Sequence, residues 1–140
     1  MSHIREAYEI VQQAWSSQRW DDWLLTCAQD YVFHPGMGLT LGREQTMEWN
    51  RALFAAFPDY AEDVRHVHVA GDTVVTELVG RGTSTGDFIL FGRTAIPASG
   101  KSFELPYAKV LVFNSDRLVT LDRQYQDRLD LFTQLGDPGP

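Results

Sequence analysis

Cysteine is almost absent from this 140-residue chain, in which Cys27 is the only one. A single cysteine cannot form an intrachain disulfide, and it cannot build a thiolate metal cluster. The sequence around it contains no neighbouring base that would activate the thiol. We therefore expect Cys27 to be a small core residue, and we expect the protein to work in a reducing, cytoplasmic compartment.

Positive charge is also scarce. Lys and Arg total 12 against 19 Asp and Glu, which gives a formal net charge of −7. Nucleic acids and anionic membrane surfaces favour a basic face, so neither is expected as a partner. The sequence contains no apolar run near the roughly 20 residues of a transmembrane helix, and it does not begin with a basic and then apolar signal segment.

Repeats, low-complexity tracts, glycine-rich phosphate loops and nucleotide-binding signatures are missing as well. The composition that remains is that of an ordinary globular protein, 44% hydrophobic and 22% charged. At this length we expect a single domain over residues 1–140, with a core large enough to enclose a small ligand. The Gly- and Pro-rich end, 136–140, is expected to be frayed.

The first part of the chain has helical periodicity. Apolar residues recur at helical spacing in the first segment: Ile4, Tyr8, Val11 and Trp15. This spacing predicts an amphipathic helix over 3–17. A second short helix is predicted from Asp21, a short strand over Tyr31 to His34, and a third helix over 43–57. The third helix should end there because Pro58 disfavours helical angles in the preceding residue.

The rest of the chain predicts long strands. Their approximate ranges are 60–70, 73–85, 101–114 and 117–127. Gly71-Asp72 favours a tight hairpin between the first two strands. The segment 86–100 is predicted to be a loop, and a short helix capped by Gly136 ends the chain. This order predicts an α+β fold, in which a curved antiparallel sheet wraps around three N-terminal helices as a cone with a ligand-sized interior.

Two polar residues are candidates for that interior. Asn50 lies in the middle of the apolar side of the third helix, so its amide would either line the pocket or bond backbone at a helix crossing. His34 ends the first strand and could exchange a proton near neutral pH, or it could be a rim histidine bonded to backbone.

Charged side chains alternate along the last strand. The face that begins at Val119 is the more apolar and is expected to point inward, together with Arg123, Tyr125 and Asp127. Such a group could bind an anionic or carbonyl oxygen and move a proton, or it could be a structural ion pair at the sheet end. A single β-bulge would reverse the two faces and bring Asp122 inward instead.

Three residues on other strands are interpreted as lying outside the site, on solvent-facing positions of the sheet. Lys109 lies in an apolar strand and is interpreted as the residue that reaches solvent, with a pocket lysine as the alternative. His66 and His68 alternate on one strand face without a third ligand nearby, so we expect them on the outer face and expect no bound metal. The tryptophans of the helical part suit a flat ligand, but they are also ordinary core residues.

Four segments of the sequence are similar to one protein family. They are ArgAlaLeuPheAlaAlaPheProAsp from Arg51, ValAlaGlyAspThrVal from Val69, GlyArgGlyThrSerThrGly from Gly80 and PheThrGlnLeuGly from Phe132. They resemble the SnoaL-like polyketide cyclases, which belong to the nuclear transport factor two-like superfamily. The resemblance runs from about residue 4 to Gly136.

The resemblance implies a cone-shaped α+β barrel, usually a homodimer through the outer sheet face, and chemistry without a cofactor. In such cyclases a carboxylate is the acid/base for an intramolecular aldol closure of a small apolar substrate. Together with the residue patterns above, this gives two sets of candidates. The candidate catalytic residues are Asp127, Asp122 and His34. The candidate substrate-binding residues are Asn50, Tyr125, Arg123, Trp15 and Phe54.

Two positions depart from the family's pattern. Ser84 stands where the family often has His, and Arg123 stands where a carboxylate is expected. Either Asp122 or Asp127 takes that role through a register shift, or the protein does something else. The first hypothesis is a cofactor-free cyclase or isomerase that acts on an apolar, flat carbonyl compound. The alternatives are a non-catalytic binding or assembly module, and a dehydratase or epoxide hydrolase.

Overall fold

The computed structural model describes residues 3–136 as four helices and seven strands. The helices are α1 (His3–Ser16), α2 (Trp20–Leu25), α3 (Arg43–Ala56) and α4 (Arg128–Gln134). The strands are β1 (Cys27–His34), β2 (Ala61–Ala70), β3 (Thr73–Thr83), β4 (Phe88–Leu90), β5 (Arg93–Ile96), β6 (Ser102–Phe113) and β7 (Val119–Gln126). The predicted α+β class is therefore confirmed. The end predicted to be frayed lies outside the described residues, apart from Gly136.

Five strands form one sheet in the order β1-β7-β6-β3-β2. All neighbours are antiparallel except β1 and β7, which run parallel. Strands β2 and β3 form the predicted hairpin, and Gly71 in its turn has φ +62°, a left-handed conformation that favours glycine. This pairing makes β1 and β2 the two edge strands of the sheet.

The three N-terminal helices pack on the concave face of the sheet. Helix α1 buries one side, made of Ala7, Tyr8, Val11, Ala14 and Trp15. Helix α3 ends at Ala56, where Phe57 leaves the helical conformation (φ −126°) before Pro58. Among residues 3–136, no helix is long and apolar enough to cross a membrane.

Two parts of the secondary structure differ from the sequence prediction. Strand β1 begins at Cys27, four residues before the predicted start at Tyr31, so Cys27 lies on a strand. Cys27 is nonetheless a buried core residue, as predicted. The predicted loop over 86–100 contains a small hairpin, in which β4 pairs with β5. Its buried Phe88 and Leu90 pack into the core.

A β-bulge in β7 decides which side chains of that strand point inward. Phe113 pairs with Val119, but the next pair is Val112 with Leu121, so Thr120 is an extra residue on β7. The bulge changes the alternation from that point on. Beyond it, Leu111 pairs with Asp122 and Lys109 with Gln124, and both strands present these side chains to the concave side.

Candidate functional site

Two adjoining cavities lie between the helices and the sheet. The larger is apolar, with a cavity volume of about 60 Å³ that is partly open to solvent. Its lining is mostly aromatic and aliphatic: Trp15, Trp49, Leu53, Phe57, Tyr60, Gly80, Phe88, Ile96, Phe103, Leu105, Tyr107, Gln124, Gln126 and Leu131. Such a lining suits an apolar ligand body with few polar contacts.

The second cavity is polar and lies deeper in the cone, with a volume of about 20 Å³, which is room for roughly one water molecule or the oxygen of a ligand. Its lining combines apolar and ionisable groups: Val11, Gln12, Trp15, Trp23, Phe33, Thr46, Asn50, Lys109, Leu111, Asp122 and Gln124. Trp15 and Gln124 line both cavities and therefore form the boundary between them.

Asp122 is the carboxylate that the β7 bulge turns into the polar cavity. Its Oδ2 accepts a hydrogen bond of 2.8 Å from the Tyr31 hydroxyl. Its Oδ1 is buried and has no hydrogen-bond partner among the described residues. Removal from water raises the pKa of Asp122 to about 6; the charge of Lys109 and the Tyr31 hydrogen bond act in the opposite direction. The result is a carboxyl group that can gain or lose a proton near neutral pH.

Asn50 provides a hydrogen-bond donor to the same cavity. The residue is buried in α3, and Trp15 Nε1 donates to its Oδ1 at 3.1 Å. This bond fixes the orientation of the amide. Its Nδ2 is buried without a partner among residues 3–136. An unpaired buried donor costs about 1–3 kcal/mol, so it marks a position where a ligand oxygen would be favourable.

The interpretation of Lys109 as the residue that reaches solvent is wrong. Its side chain is 9% exposed, and Nζ contacts Glu62 Oε1 at 3.0 Å, where the Glu62 side chain is fully buried. Nζ also lies 4.4 Å from the centroid of the Trp15 ring. The buried Glu62 carboxylate compensates the charge of the ammonium, so the inward lysine is not left as an unpaired buried cation.

Glu62 connects the two cavities through a chain of hydrogen bonds. Gln12 Nε2 donates to Oε1 at 2.9 Å, and the Tyr60 hydroxyl donates to Oε2 at 3.2 Å. The hydroxyls of Tyr60 and Tyr107 lie 2.7 Å apart. Because both tyrosines line the apolar cavity and Lys109 lines the polar one, the network spans the boundary between them.

The predicted inward face of β7 is wrong beyond Val119. Arg123 and Tyr125 lie on the outer side of the sheet, and Tyr125 is 56% exposed. Asp127 follows the strand and caps α4, its Oδ1 accepting from Asp130 N at 3.0 Å. The bulge at Thr120 is the physical reason, because one extra residue exchanges the two faces.

His34 also points away from the cone. Its neighbour Phe33 pairs with Asp122 and is buried inside, whereas His34 pairs with Arg123 and lines a hollow at the sheet edge where β1 ends. His66 and His68 are exposed, as expected for the outer face. The structure thus brings Asp122 and Asn50 together and separates them from Asp127, Tyr125, Arg123 and His34.

The two aromatic candidates have different positions. Trp15 lines both cavities, whereas Phe54 packs against Trp15 at a ring distance of 5.3 Å and is not part of either lining. Sequence reasoning missed Glu62, Tyr31, Gln12 and Gln124. Period-two alternation could have found Tyr31, which lies two residues before the buried Phe33 on β1. No comparable sequence signal marks Glu62, because its ion-pair partner Lys109 lies 47 residues further along the chain.

Cys27 contributes no reactive thiol to the site. Burial raises its pKa to about 12, so the thiol stays protonated at neutral pH. Its Sγ donates weakly to the Trp23 carbonyl at 3.6 Å. Among residues 3–136, no group of three or more metal-ligating side chains comes together.

Comparisons with solved structures place the fold among known relatives. A protein from Jannaschia sp. CCS1, provisionally described as a SnoaL-like polyketide cyclase, is 24% identical over 100% of this chain and 97% of its own, with a TM-score of 0.82. IdmH from Streptomyces antibioticus, provisionally described as a polyketide cyclase, is 24% identical over 96% of this chain and 99% of its own, with a TM-score of 0.78.

A more distant relative shows the spread of activities on this fold. An LEH-like epoxide hydrolase of M. tuberculosis is 18% identical over 93% of this chain and 86% of its own, with a TM-score of 0.70. At such identities the likeness concerns the fold alone. No protein with a curated description matches the sequence.

The family model of the SnoaL-like polyketide cyclases matches residues 5–135, nearly the whole chain. The four segments that carry the resemblance all lie within this range or end one residue beyond it. On the strength of this match, this chain belongs to the SnoaL-like polyketide cyclase family.

Proposed function

We propose that the protein is a cofactor-free acid/base enzyme of the cyclase or isomerase type that acts on an apolar carbonyl compound. One observation carries the proposal: an unpaired buried acceptor, Asp122 Oδ1, and an unpaired buried donor, Asn50 Nδ2, line the same cavity. An acceptor that removes a proton and a donor that holds the resulting oxyanion are the two groups that enolisation requires.

The proposed step balances as a proton transfer followed by bond formation. Asp122 Oδ1 takes a proton from the carbon next to a carbonyl group, and the C–H electron pair becomes the enolate. Asn50 Nδ2 and Lys109 Nζ donate hydrogen bonds to the enolate oxygen. In a cyclisation the enolate carbon then attacks a second carbonyl of the same molecule, and the new alkoxide takes the proton back from Asp122. In an isomerisation the proton returns to a different carbon.

The surroundings of Asp122 support this role. A general base is most efficient when its pKa lies near the working pH, and burial raises the pKa of Asp122 to about 6. The Lys109 ammonium is held in place by Glu62, so no reorganisation is needed when negative charge develops on the substrate. The neighbouring aromatic cavity would hold the apolar body of the substrate, with the Gln124 and Gln126 amides as polar contacts.

Hydrogen exchange of a surrogate tests the proposal without knowledge of the natural substrate. The probe is 2-tetralone, a flat ketone with acidic hydrogens, followed by proton NMR in D₂O. We expect the protein to accelerate the exchange, and Asp122→Asn to lose on the order of 10²- to 10⁴-fold of that acceleration. Asp127→Asn is the matched control, because it makes the same change at a residue that caps α4, and it should keep the activity.

Two results would contradict the proposal. Equal exchange rates for Asp122→Asn and the parent would remove Asp122 from the reaction. Binding of 2-tetralone by the parent without any acceleration of exchange would favour the non-catalytic binding module.

A further inference from the structure

A hollow at the edge of the sheet lies where β1 ends and β7 continues. The last pair of the two strands is His34 with Arg123, and the chain then turns at Pro35 and Gly36 (φ +102°). The hollow contains about 640 Å³ of empty space, much of it open to solvent. Its lining is His34, Pro35, Gly36, Arg123, Gln124, Tyr125, Gln126 and Arg128.

Two arginines of this hollow have no carboxylate partner. Within residues 3–136, no carboxylate oxygen lies within 4.0 Å of Arg123 or Arg128, although five other arginines do make such contacts. Arg123 Nε is buried and has no hydrogen-bond partner in the described part of the chain. An unpaired guanidinium N–H that is shielded from water is costly unless a ligand accepts from it.

The Arg128 guanidinium is held at the wall of the hollow. Its Nη2 donates to the Pro35 carbonyl at 3.2 Å. The guanidinium also lies close to Gly36, since a Cβ on residue 36 would be 3.5 Å from both Nη atoms. Partial burial lowers the pKa of Arg128, in keeping with a cation that lacks a counter-charge.

The carboxylates nearest in sequence are occupied elsewhere. Asp127 Oδ1 accepts from Asp130 N at the start of α4. Asp122 lies on the inner side of β7 and accepts from Tyr31. In a protein with a formal net charge of −7, the hollow is therefore a local concentration of unpaired positive charge.

We propose that this hollow binds an anionic group, a carboxylate or a phosphate, between the guanidinium groups of Arg123 and Arg128. Planar guanidinium forks recognise such groups through charge-assisted hydrogen bonds. His34 is a third polar group in the lining; its Nδ1 lies 3.4 Å from Thr40 Oγ1. Gln124 and Gln126 line both the hollow and the apolar cavity, so the anionic group would lie beside the cavity in which the proposed function places an apolar substrate.

Isothermal titration calorimetry with two probes tests the site. Inorganic phosphate is a compact anion, and 2-naphthoate is a carboxylate on a flat apolar body. We expect binding that Arg123→Gln and Arg128→Gln each weaken at least about tenfold, since a hydrogen bond to a charged group contributes about 1.5–3 kcal/mol. Arg51→Gln is the matched control: it removes the same charge from the exposed side of α3 and should bind like the parent.

The two probes distinguish the source of the anion. Arginine-dependent binding of both supports a general anion site, whereas arginine-dependent binding of 2-naphthoate alone supports a carboxylate carried by an apolar compound. Asp122→Asn should keep the binding of either probe, so a failure of the proposed reaction leaves this result intact. If the Gln variants do not fold by circular dichroism, Arg123→Lys and Arg128→Lys replace them, and loss of the planar fork should lower the affinity severalfold.

Three outcomes would overturn the site. The first is that neither probe binds the parent. The second is equal affinity in the parent and in both arginine variants. The third is a change of oligomeric state in Arg123→Gln, which would assign the guanidinium to a contact between copies of the chain.

Discussion

Replacing Asp122 by Asn should stabilise the folded protein at neutral pH while it removes the proposed acid/base group. Burial raises the pKa of Asp122 from 3.8 to about 6. A shift of about two pH units corresponds to about 3 kcal/mol of unfavourable free energy for the charged form in the folded state. An amide at this position keeps the acceptor for the Tyr31 hydroxyl and never acquires the charge.

The sign of the pH dependence follows from proton binding. Between about pH 4 and pH 6 the folded state keeps the Asp122 proton while the unfolded state loses it. The contribution of Asp122 to stability is therefore fully present below pH 3.8 and is lost as the pH rises through about 6. The free energy of unfolding of Asp122→Asn, relative to the parent, should accordingly increase over this pH range by up to about 3 kcal/mol. This corresponds to roughly 10 °C in Tm.

Urea unfolding of the parent and Asp122→Asn at several pH values between about 4 and 8 measures this difference. Asp127→Asn serves as control, because it tests whether any carboxylate-to-amide change near the end of β7 produces the same pH-dependent gain in stability. A difference between Asp122→Asn and the parent that stays constant with pH, or that shrinks as the pH rises, would refute the reasoning. A difference in stability that widens as the pH rises would show that the buried Asp122 carboxylate lowers the stability of the fold, as is common for functional residues.

Three further predictions concern other parts of the molecule. Lys109→Met leaves the fully buried Glu62 carboxylate without its cation, although Gln12 and Tyr60 still donate to it, and should lower the free energy of unfolding by about 3–5 kcal/mol; Lys109→Met with Glu62→Gln should recover most of that loss in urea unfolding. Cys27 should not react with a thiol reagent in the native protein and should react at once in denaturant, because burial raises its pKa to about 12; fast native reaction would contradict its placement. We propose that two copies pair through the outer sheet face around the Val75–Val110 pair of β3 and β6. Light scattering should then give a dimer for the parent and a monomer for Val75→Asp; a monomeric parent would contradict the proposal.

The main elements of the fold followed from local signals in the sequence. Periodic apolar residues identified α1, Pro58 marked the end of α3, and Gly71-Asp72 located the β2–β3 hairpin. These signals act through backbone angles and one-sided burial, which neighbouring residues determine. The placement of Asn50 inside the cone followed in the same way, because a helix presents one face to the sheet.

The errors arose where distant residues decide the outcome. Lys109 points inward because Glu62, on another strand, neutralises it, and no local pattern reveals that pairing. The inner face of β7 depends on one extra residue at Thr120, whose presence is visible only in the pairing with β6. The parallel pairing of β1 with β7 joins segments at opposite ends of the chain, and it places His34 beside Arg123 outside the cone.

The extra residue in β7 also bears on how proteins of this family diversify. Deleting Thr120 would slide the remainder of the strand by one position, withdrawing the Asp122 carboxylate from the interior and inserting the Arg123 guanidinium in its place. A single codon lost or gained could thus exchange an acidic interior for a basic one without any substitution. A sequence alignment that places no gap in this strand would then compare an inner residue of one protein with an outer residue of the other.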